Sequence, residues 1–295
     1  IFQGLGSEFA AVEPPVFAGL FATYLNKRGV STEIIDVPAQ HLSPLGVAEA
    51  ARLLDPTLVV IVVYGAQPSA STQNMTVAGK IAAAIKGIRN YPIMMTGGHP
   101  AALPLRTMEE NDIDFVCDRE GPATIFNTFQ ALKAKVVGLS VVPSLWWFDK
   151  MANQIRAPKM VEPLITNLDG EMPSIAWDQL AVGKYRSHNW HSFDHIDQRG
   201  PYAAIHTSLG CPWKCHFCMV NSPYGKPAYR MWSPEVVIRE IDYLAREQGV
   251  VNIKFVDEMF VLNKAHVLGL CKLLASREYK VNIWAYARVD TVQDE

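Results

Sequence analysis

The stretch "LVVIVVYG", Leu58–Gly65, decides the fold of the first half of the chain. An unbroken β-branched run of this kind suits a strand covered on both faces, the mark of a central strand in a parallel sheet. It is far too short to span a bilayer. Outward from it, strand and helix patterns alternate. Upstream, "IFQGLG" reads as a strand end. "PPVFAGLFATYLNKRG" follows as a helix, with Phe17, Leu20, Phe21, Tyr24 and Leu25 at helical spacing. "STEIIDV" reads as a second strand and "VAEAARLLDP" as a helix stopped before Pro56. Downstream come a helix, "MTVAGKIAAAIKGI", the strands "PIMMTGG" and "IDFVCD", and a helix, "ATIFNTFQALKA". This alternation predicts an α/β, doubly wound, Rossmann-like sheet over residues 1–135. Ligands of such sheets lie beyond the carboxyl ends of the strands.

Those strand ends are rich in small and polar residues: Gly6, Ser7 and Glu8; Gln67, Ser69, Ser71 and Thr72; Gly97, Gly98, His99 and Pro100; Glu120 and Gly121. Glycine admits close backbone approach and hydroxyls supply hydrogen bonds. Ordinary turns use the same residues. Neither G-x-G-x-x-G nor G-x-x-x-x-G-K-[ST] is present, so neither motif supports dinucleotide or P-loop binding.

Residues 136–200 read as an ordered linker rich in proline and aromatic residues, with Val136–Val142 and Met151–Arg156 as a possible hairpin. His188, His191 and His195 cluster there; surface or hydrogen-bonded histidines are the commoner reading than a metal site. From 201 to 295 strand, loop and helix repeat again. "YAAIHTSLG" is a strand running into a turn, and "SPEVVIREIDYLAREQG" a helix capped by Ser233 with Pro234 in first position. "VNIKFVDEMF", "KAHVLGLCKLLASRE" and "VNIWAYARVD" follow as strand, helix and strand. The repeat predicts a β/α barrel, with its chemistry at the carboxyl ends of the strands. Three such units precede Glu295, so the barrel reads as partial and truncated, and a chain starting at Ile1 reads as a piece of a longer protein.

Among 295 residues, 49% are hydrophobic and 19% charged, with a net charge of −2, which is ordinary globular composition and gives no support for nucleic-acid or membrane binding. There are five cysteines, an odd number, and three fall within "GCPWKCHFCMV". That usage points to a reducing, cytoplasmic setting and metal chemistry rather than a disulfide framework. Cys117, on a strand, reads as core. Cys211, Cys215 and Cys218 can hold a cubane iron–sulfur cluster by three irons and leave the fourth open to a ligand. Zinc needs a fourth ligand, such as His206 or His216, and the spacing departs from the usual two-pair zinc patterns.

"CPWKCHFC" resembles the C-x-x-x-C-x-Φ-C signature of the radical S-adenosylmethionine enzymes. "YRMWSPEVVIREI", "IKFVDEMF" and "WAYARVD" fit the same resemblance. "NLDGEMPSIAWDQL", "MTGGHPAALP" and "DREGPATI" resemble the subgroup in which a cobalamin-binding domain precedes the radical domain. The resemblance implies a [4Fe–4S] cluster on the three cysteines, with S-adenosylmethionine on the open iron. Phe217, Asp257 and Glu258 would contact S-adenosylmethionine, and Arg288 its carboxylate. It implies cobalamin at the strand-end residues named above. The Asp-x-His-x-x-Gly stretch of cobalamin domains that place a histidine on cobalt is absent: "GSEFAAVEPPVFAG" holds no histidine. Cobalamin without a histidine ligand on cobalt is therefore expected.

The function implied is a cobalamin-dependent radical methyltransferase. Methylcobalamin and a 5′-deoxyadenosyl radical would act on an unactivated carbon or phosphorus centre of a small molecule or natural product, fed by a flavodoxin- or ferredoxin-type donor. A cyclase or ring-rearranging enzyme is the alternative that keeps both cofactors. A cobalamin-binding sensor with a structural cluster is the non-enzymatic one.

Overall fold

The structure, a computed structural model, describes residues 11–65, 70–136, 138–188 and 198–292. The sequence-predicted strand at "IFQGLG", residues Gly6, Ser7, Glu8, Gln67 and Ser69, and His191 and His195 lie outside them. The helices are α1 (Val16–Asn26), α2 (Val37–Gln40), α3 (Pro44–Leu54), α4 (Ala70–Ile88), α5 (Gly98–Ala102), α6 (Pro104–Glu110), α7 (Pro122–Lys133), α8 (Leu168–Glu171), α9 (Pro234–Arg246) and α10 (Lys264–Ala275). The strands are β1 (Val59–Val63), β2 (Ile93–Gly97), β3 (Phe115–Cys117), β4 (Leu145–Asp149), β5 (Gln154–Arg156), β6 (Tyr202–Ile205), β7 (Ser208–Leu209), β8 (Arg230–Met231), β9 (Asn252–Phe255) and β10 (Asn282–Ala285).

The chain divides into two compact units. One comprises residues 40–164 and 213–227; the other holds the described residues 11–39, 165–212 and 228–292. These boundaries differ from the sequence-based divisions at 135 and 200. Helix α1 folds in the second unit, where the Phe17 ring meets that of His206 at 5.0 Å, Ala176 N–H donates to the Gly19 carbonyl at 3.2 Å, and Arg28 pairs with Glu171.

The first unit is built on a sheet in the order β1-β2-β3-β4-β5. β1, β2 and β3 run parallel, while β4 and β5 add an antiparallel hairpin. β2 and β3 are buried in every residue; β1 stands at the end of the described sheet and is half-buried in its first four. The β-branched run therefore marks a parallel strand, but not the central one among the described residues. The hairpin forms from "LWWFD" and "QIR": residues 139–141 make a short 3-10 turn, so the first strand begins at Leu145 and not at Val136. "STEIIDV" carries no strand; Asp36 instead accepts the Ala39 N–H at 3.3 Å and the Tyr185 hydroxyl at 2.6 Å. Lys86 pairs with Asp114 at 2.6 Å, and the same carboxylate oxygen accepts the Ile93 N–H at 2.9 Å, which ties α4 to the start of β2. Cys117 is buried and its thiol is pushed up to about 11 by that burial, as a core cysteine should be.

The second unit carries the parallel sheet β10-β9-β6 and a two-stranded ribbon, β7-β8. β6 and β9 are buried throughout. Helix α9 starts where the sequence predicts: Ser233 Oγ accepts the Val236 N–H at 3.3 Å, Pro234 opens the helix, and Val237, Ile241 and Leu244 are buried. On the same helix Glu240 is buried. Its Oε1 accepts the Ile175 N–H and the Trp177 indole N–H, each at 2.8 Å, which fixes the proline-rich linker to the helix.

Burial pushes the Glu240 carboxyl up to about 7, above its unperturbed value of 4.5. The folded state holds this proton more tightly than the unfolded chain, so the residue's contribution to stability falls as pH rises from about 4.5 to about 7. Glu240→Gln keeps an acceptor for both donors without the charge. The stability difference between wild type and this variant, followed by chemical denaturation, should shift in the variant's favour from pH 5 to pH 8. Glu240→Ala, which orphans both donors, should lose roughly 2–4 kcal/mol at either pH. A difference that moves the other way with pH contradicts the assignment.

Candidate functional site

Among the described residues, the sequence-predicted ones cluster after the carboxyl ends of parallel strands in each unit. In the first unit, α4 begins at Ala70, earlier than its apolar period suggests, so Ser71 and Thr72 belong to its first turn and not to a loop. Ser71 Oγ donates to the Val63 carbonyl at the end of β1 and accepts the His99 N–H at 2.9 Å. Thr72 Oγ1 lies 3.1 Å from His99 Nδ1. Ser71, Thr72, Gly97, Gly98 and His99 are thus brought together at the ends of β1 and β2. Gly97 has φ +135°, and a Cβ there would collide with the Val63 carbonyl oxygen. Pro100 is buried in α5, Glu120 is buried, and Gly121, at φ +118°, precedes α7.

The later part of the cysteine motif folds in this same unit. A Cβ at Gly98 would lie 2.9 Å from Met219 Cε, and one at Gly225 would lie 2.7 Å from the Arg119 guanidinium carbon. The Cys218 N–H donates to the Cys215 carbonyl at 3.1 Å, making one tight turn, and Asn221 Nδ2 donates to the Trp213 carbonyl at 2.8 Å. Phe217 is 93% exposed, so its ring is not a core residue.

Cys211 belongs to the second unit. β6 ends at Ile205 beside Phe255, and the Val256 N–H continues the pairing to the Ile205 carbonyl at 2.9 Å. The residues after the two strands are therefore neighbours. Asp257 is fully buried. Its Oδ1 accepts the Thr207 N–H at 2.7 Å, and its Oδ2 accepts the Thr207 and Ser208 hydroxyls, each at 2.6 Å. His266, in the first turn of α10, places Nε2 3.0 Å from Thr207 Oγ1. The Thr207 proton is committed to Asp257, so His266 is assigned as the Nε2–H donor. Burial raises the Asp257 carboxyl to about 6 and lowers His206 to about 3.

Glu258 differs from its neighbour. The Gly210 backbone faces its carboxylate, while Oε2 is shielded from solvent and has no hydrogen-bond partner among the described residues. Burial, with the charge of Asp257 beside it, pushes the group up to about 7. Arg288 makes a two-pronged ion pair with Asp290 at 2.9 and 2.8 Å, both side chains exposed. This is a surface ion pair, and the Arg288 fork is turned to Asp290. Sequence reasoning passed over Thr207, Ser208, His266 and Met219. The first two were legible as a hydroxyl pair between a strand and the Gly-Cys turn.

Comparison with known proteins bears on this geometry. Residues 3–125 match the B12 binding domain family. An uncharacterized methyltransferase of Pyrococcus horikoshii is 29% identical over 96% of this chain and 57% of its own length. The anaerobic magnesium-protoporphyrin IX monomethyl ester cyclase of Cereibacter sphaeroides is 24% identical over 92% of this chain and 42% of its own. The fold matches the cobalamin-dependent S-adenosylmethionine radical enzyme OxsB, solved with aqua-cobalamin and S-adenosylmethionine bound, at a TM-score of 0.71 and 20% identity, over 96% of this chain and 37% of that one. The chain is thus similar in fold to cobalamin-dependent radical S-adenosylmethionine enzymes, with a B12-binding match over its first part. It spans about half the length of the curated relatives it matches. Among the described residues no helix is long and apolar enough to cross a membrane.

The residues suit these cofactors. Thiols at Cys211, Cys215 and Cys218, none in a disulfide, are the soft donors that an iron–sulfur cluster takes. Among the described residues no three His, Cys, Asp or Glu side chains are gathered to hold a metal ion. The shielded, unpartnered oxygen of Glu258 suits a cationic ligand group. At the β1 and β2 ends, hydroxyls and side-chain-free backbone suit a large polar ligand.

The two adjacent glycines separate backbone strain from packing. Gly97→Ala should lower stability by roughly 2 kcal/mol or more, because its obstacle is backbone and its φ is left-handed. Gly98→Ala should cost less than about 1 kcal/mol, because Met219 Cε can move aside. Thermal midpoints of the two variants check this. Equal losses contradict it.

Proposed function

We propose that the chain is the cobalamin- and cluster-bearing part of a radical methyltransferase acting on an unactivated carbon or phosphorus centre of a small molecule. The observation that carries the reading is the C-x-x-x-C-x-Φ-C loop at the end of a parallel strand, in a chain that also holds a B12-binding domain. Cys211, Cys215 and Cys218 hold the cluster in this reading. Glu258 receives the amino group of S-adenosylmethionine, and Phe217, exposed on the loop, covers its apolar part. Arg288 reaches the carboxylate only by exchanging its Asp290 partner for it.

Cobalamin lies against Ser71, Thr72, Gly97, Gly98, His99, Pro100, Glu120 and Gly121, together with Gly6, Ser7, Glu8, Gln67 and Ser69. Cobalt carries no histidine in this reading, because "GSEFAAVEPPVFAG", where the Asp-x-His-x-x-Gly stretch would stand, holds none. When bound, the cluster with S-adenosylmethionine supplies hydrogen abstraction and cobalamin supplies the methyl group. The chain's own residues bind, orient and exclude water. A flavodoxin- or ferredoxin-type protein in the cytoplasm supplies the electron. The cyclase among the relatives keeps ring closure as a second reading.

Product analysis of anaerobic turnovers by the full-length protein separates the two. Methyl transfer should give S-adenosylhomocysteine and 5′-deoxyadenosine in roughly equal amounts, since both cofactors serve one substrate. Deoxyadenosine without matching S-adenosylhomocysteine, and a product of unchanged carbon count, replaces methyl transfer by rearrangement. Paramagnetic resonance of bound cob(II)alamin should show no triplet nitrogen splitting on the cobalt lines. Clear triplets would contradict the histidine-free site.

A further inference from the structure

Asp257 and Glu258 are adjacent in sequence but differ in what surrounds them. A carboxylate offers about four lone-pair positions. Three of those on Asp257 are occupied by donors at 2.6–2.7 Å, and the residue has no exposed surface. The His206 ring stands on another side, with Nδ1 3.9 Å from Oδ1. An ammonium group reaching Asp257 would have to displace one of the three donors. Each of those donors belongs to the segment between β6 and Cys211: the Thr207 amide, the Thr207 hydroxyl and the hydroxyl of Ser208, the first residue of β7. His266 extends the chain of bonds to the first turn of α10. That turn is itself held by Asn263, whose side chain accepts the His266 N–H at 3.0 Å. The network thus joins the end of β6, the end of β9 and the start of α10. Beyond it, the Gly210 backbone faces Glu258, which keeps one shielded oxygen without a partner.

We infer that Asp257 is a positioning residue and not a ligand of S-adenosylmethionine: through Thr207 and Ser208 it sets the strand-end turn that aims Gly210 at Glu258 and starts the cysteine loop, so that Glu258 alone faces the ligand. The inference rests on the reading that this loop serves a cluster and S-adenosylmethionine. Charge-assisted hydrogen bonds of this length are the strong ones, and a fully connected buried set rigidifies the backbone that carries it. A residue acting this way should be interchangeable, in its effect, with the hydroxyls it holds.

The test compares Asp257→Asn, the Thr207→Val/Ser208→Ala pair, all three substitutions together, and Glu258→Gln, in the full chain. Two quantities are read: hydrogen exchange over residues 206–211 without cofactors, and S-adenosylmethionine affinity by equilibrium dialysis after anaerobic reconstitution. Exchange should rise in Asp257→Asn and in the hydroxyl pair, and stay at the wild-type level in Glu258→Gln. Affinity should fall by a similar factor, about tenfold, in Asp257→Asn and in the pair, with the triple variant no worse than either, as for residues acting as one unit. Glu258→Gln should weaken binding with the turn intact. If Asp257→Asn weakens binding while the pair stays within about twofold of wild type, and the triple variant matches Asp257→Asn, Asp257 touches the ligand and the inference falls. Unchanged exchange in Asp257→Asn overturns it independently of any cofactor. Should the triple variant be unstable, Ser208→Ala alone, which removes one hydroxyl, gives the exchange reading. Wild type that takes up a cluster but no S-adenosylmethionine overturns the functional reading itself; raised exchange in Asp257→Asn would then leave the turn-setting half of the inference standing.

Discussion

A carboxylate with no exposed surface must be answered by donors or surrender its charge, and Asp257 is answered three times within two residues. That constraint fixes the backbone after β6 to the backbone after β9. The parallel pairing of the two strands brings Thr207 and Asp257 within reach, and the hydrogen bonds then remove the freedom that a strand-end turn would otherwise keep. Gly210, at φ +86°, makes the bend that follows, a conformation open to glycine at little cost. The cysteine motif begins at the next residue. Its first cysteine therefore starts from a rigid scaffold, as a site built on strands should.

The first unit reaches a comparable result by another route. Ser71 joins the end of β1 to the backbone of α5 with a single hydroxyl that donates one bond and accepts another. The collision that Gly97 avoids is with the carbonyl that Ser71 holds. One serine and one glycine together set the spacing of two strand ends. The segment Trp213–Pro227 then packs in this unit through Met219 beside Gly98 and Gly225 beneath the Arg119 guanidinium. Small residues at the strand ends thus serve the packing of the loop, beyond whatever room they leave for a ligand.

Much of this was legible in the sequence, wherever one residue type has one physical use. The β-branched runs are parallel strands, Ser233-Pro234 starts α9, and the three clustered cysteines lie after a strand. What escaped depended on partners distant in sequence. "STEIIDV" has strand composition, yet Asp36 is held by the hydroxyl of Tyr185, far along the chain. Helix α1 reads as a partner of the first sheet from its position, but its apolar face meets residues near 175 and 206. The hairpin slid because Leu145–Asp149 is the strand that pairs with β3 through Trp146 and Trp147. In the site, Asp257 and Glu258 look alike as letters, and only the count of donors around each distinguishes them.

The central claim is that Cys211, Cys215 and Cys218 hold one cubane cluster with an open iron. Iron and acid-labile sulfide content of anaerobically reconstituted protein tests it most directly, measured beside the variant with all three cysteines replaced by alanine. Wild type should hold about four irons and four sulfides per chain, with broad visible absorbance that the variant lacks. A triple variant that retains a full complement of iron and sulfide would contradict the assignment.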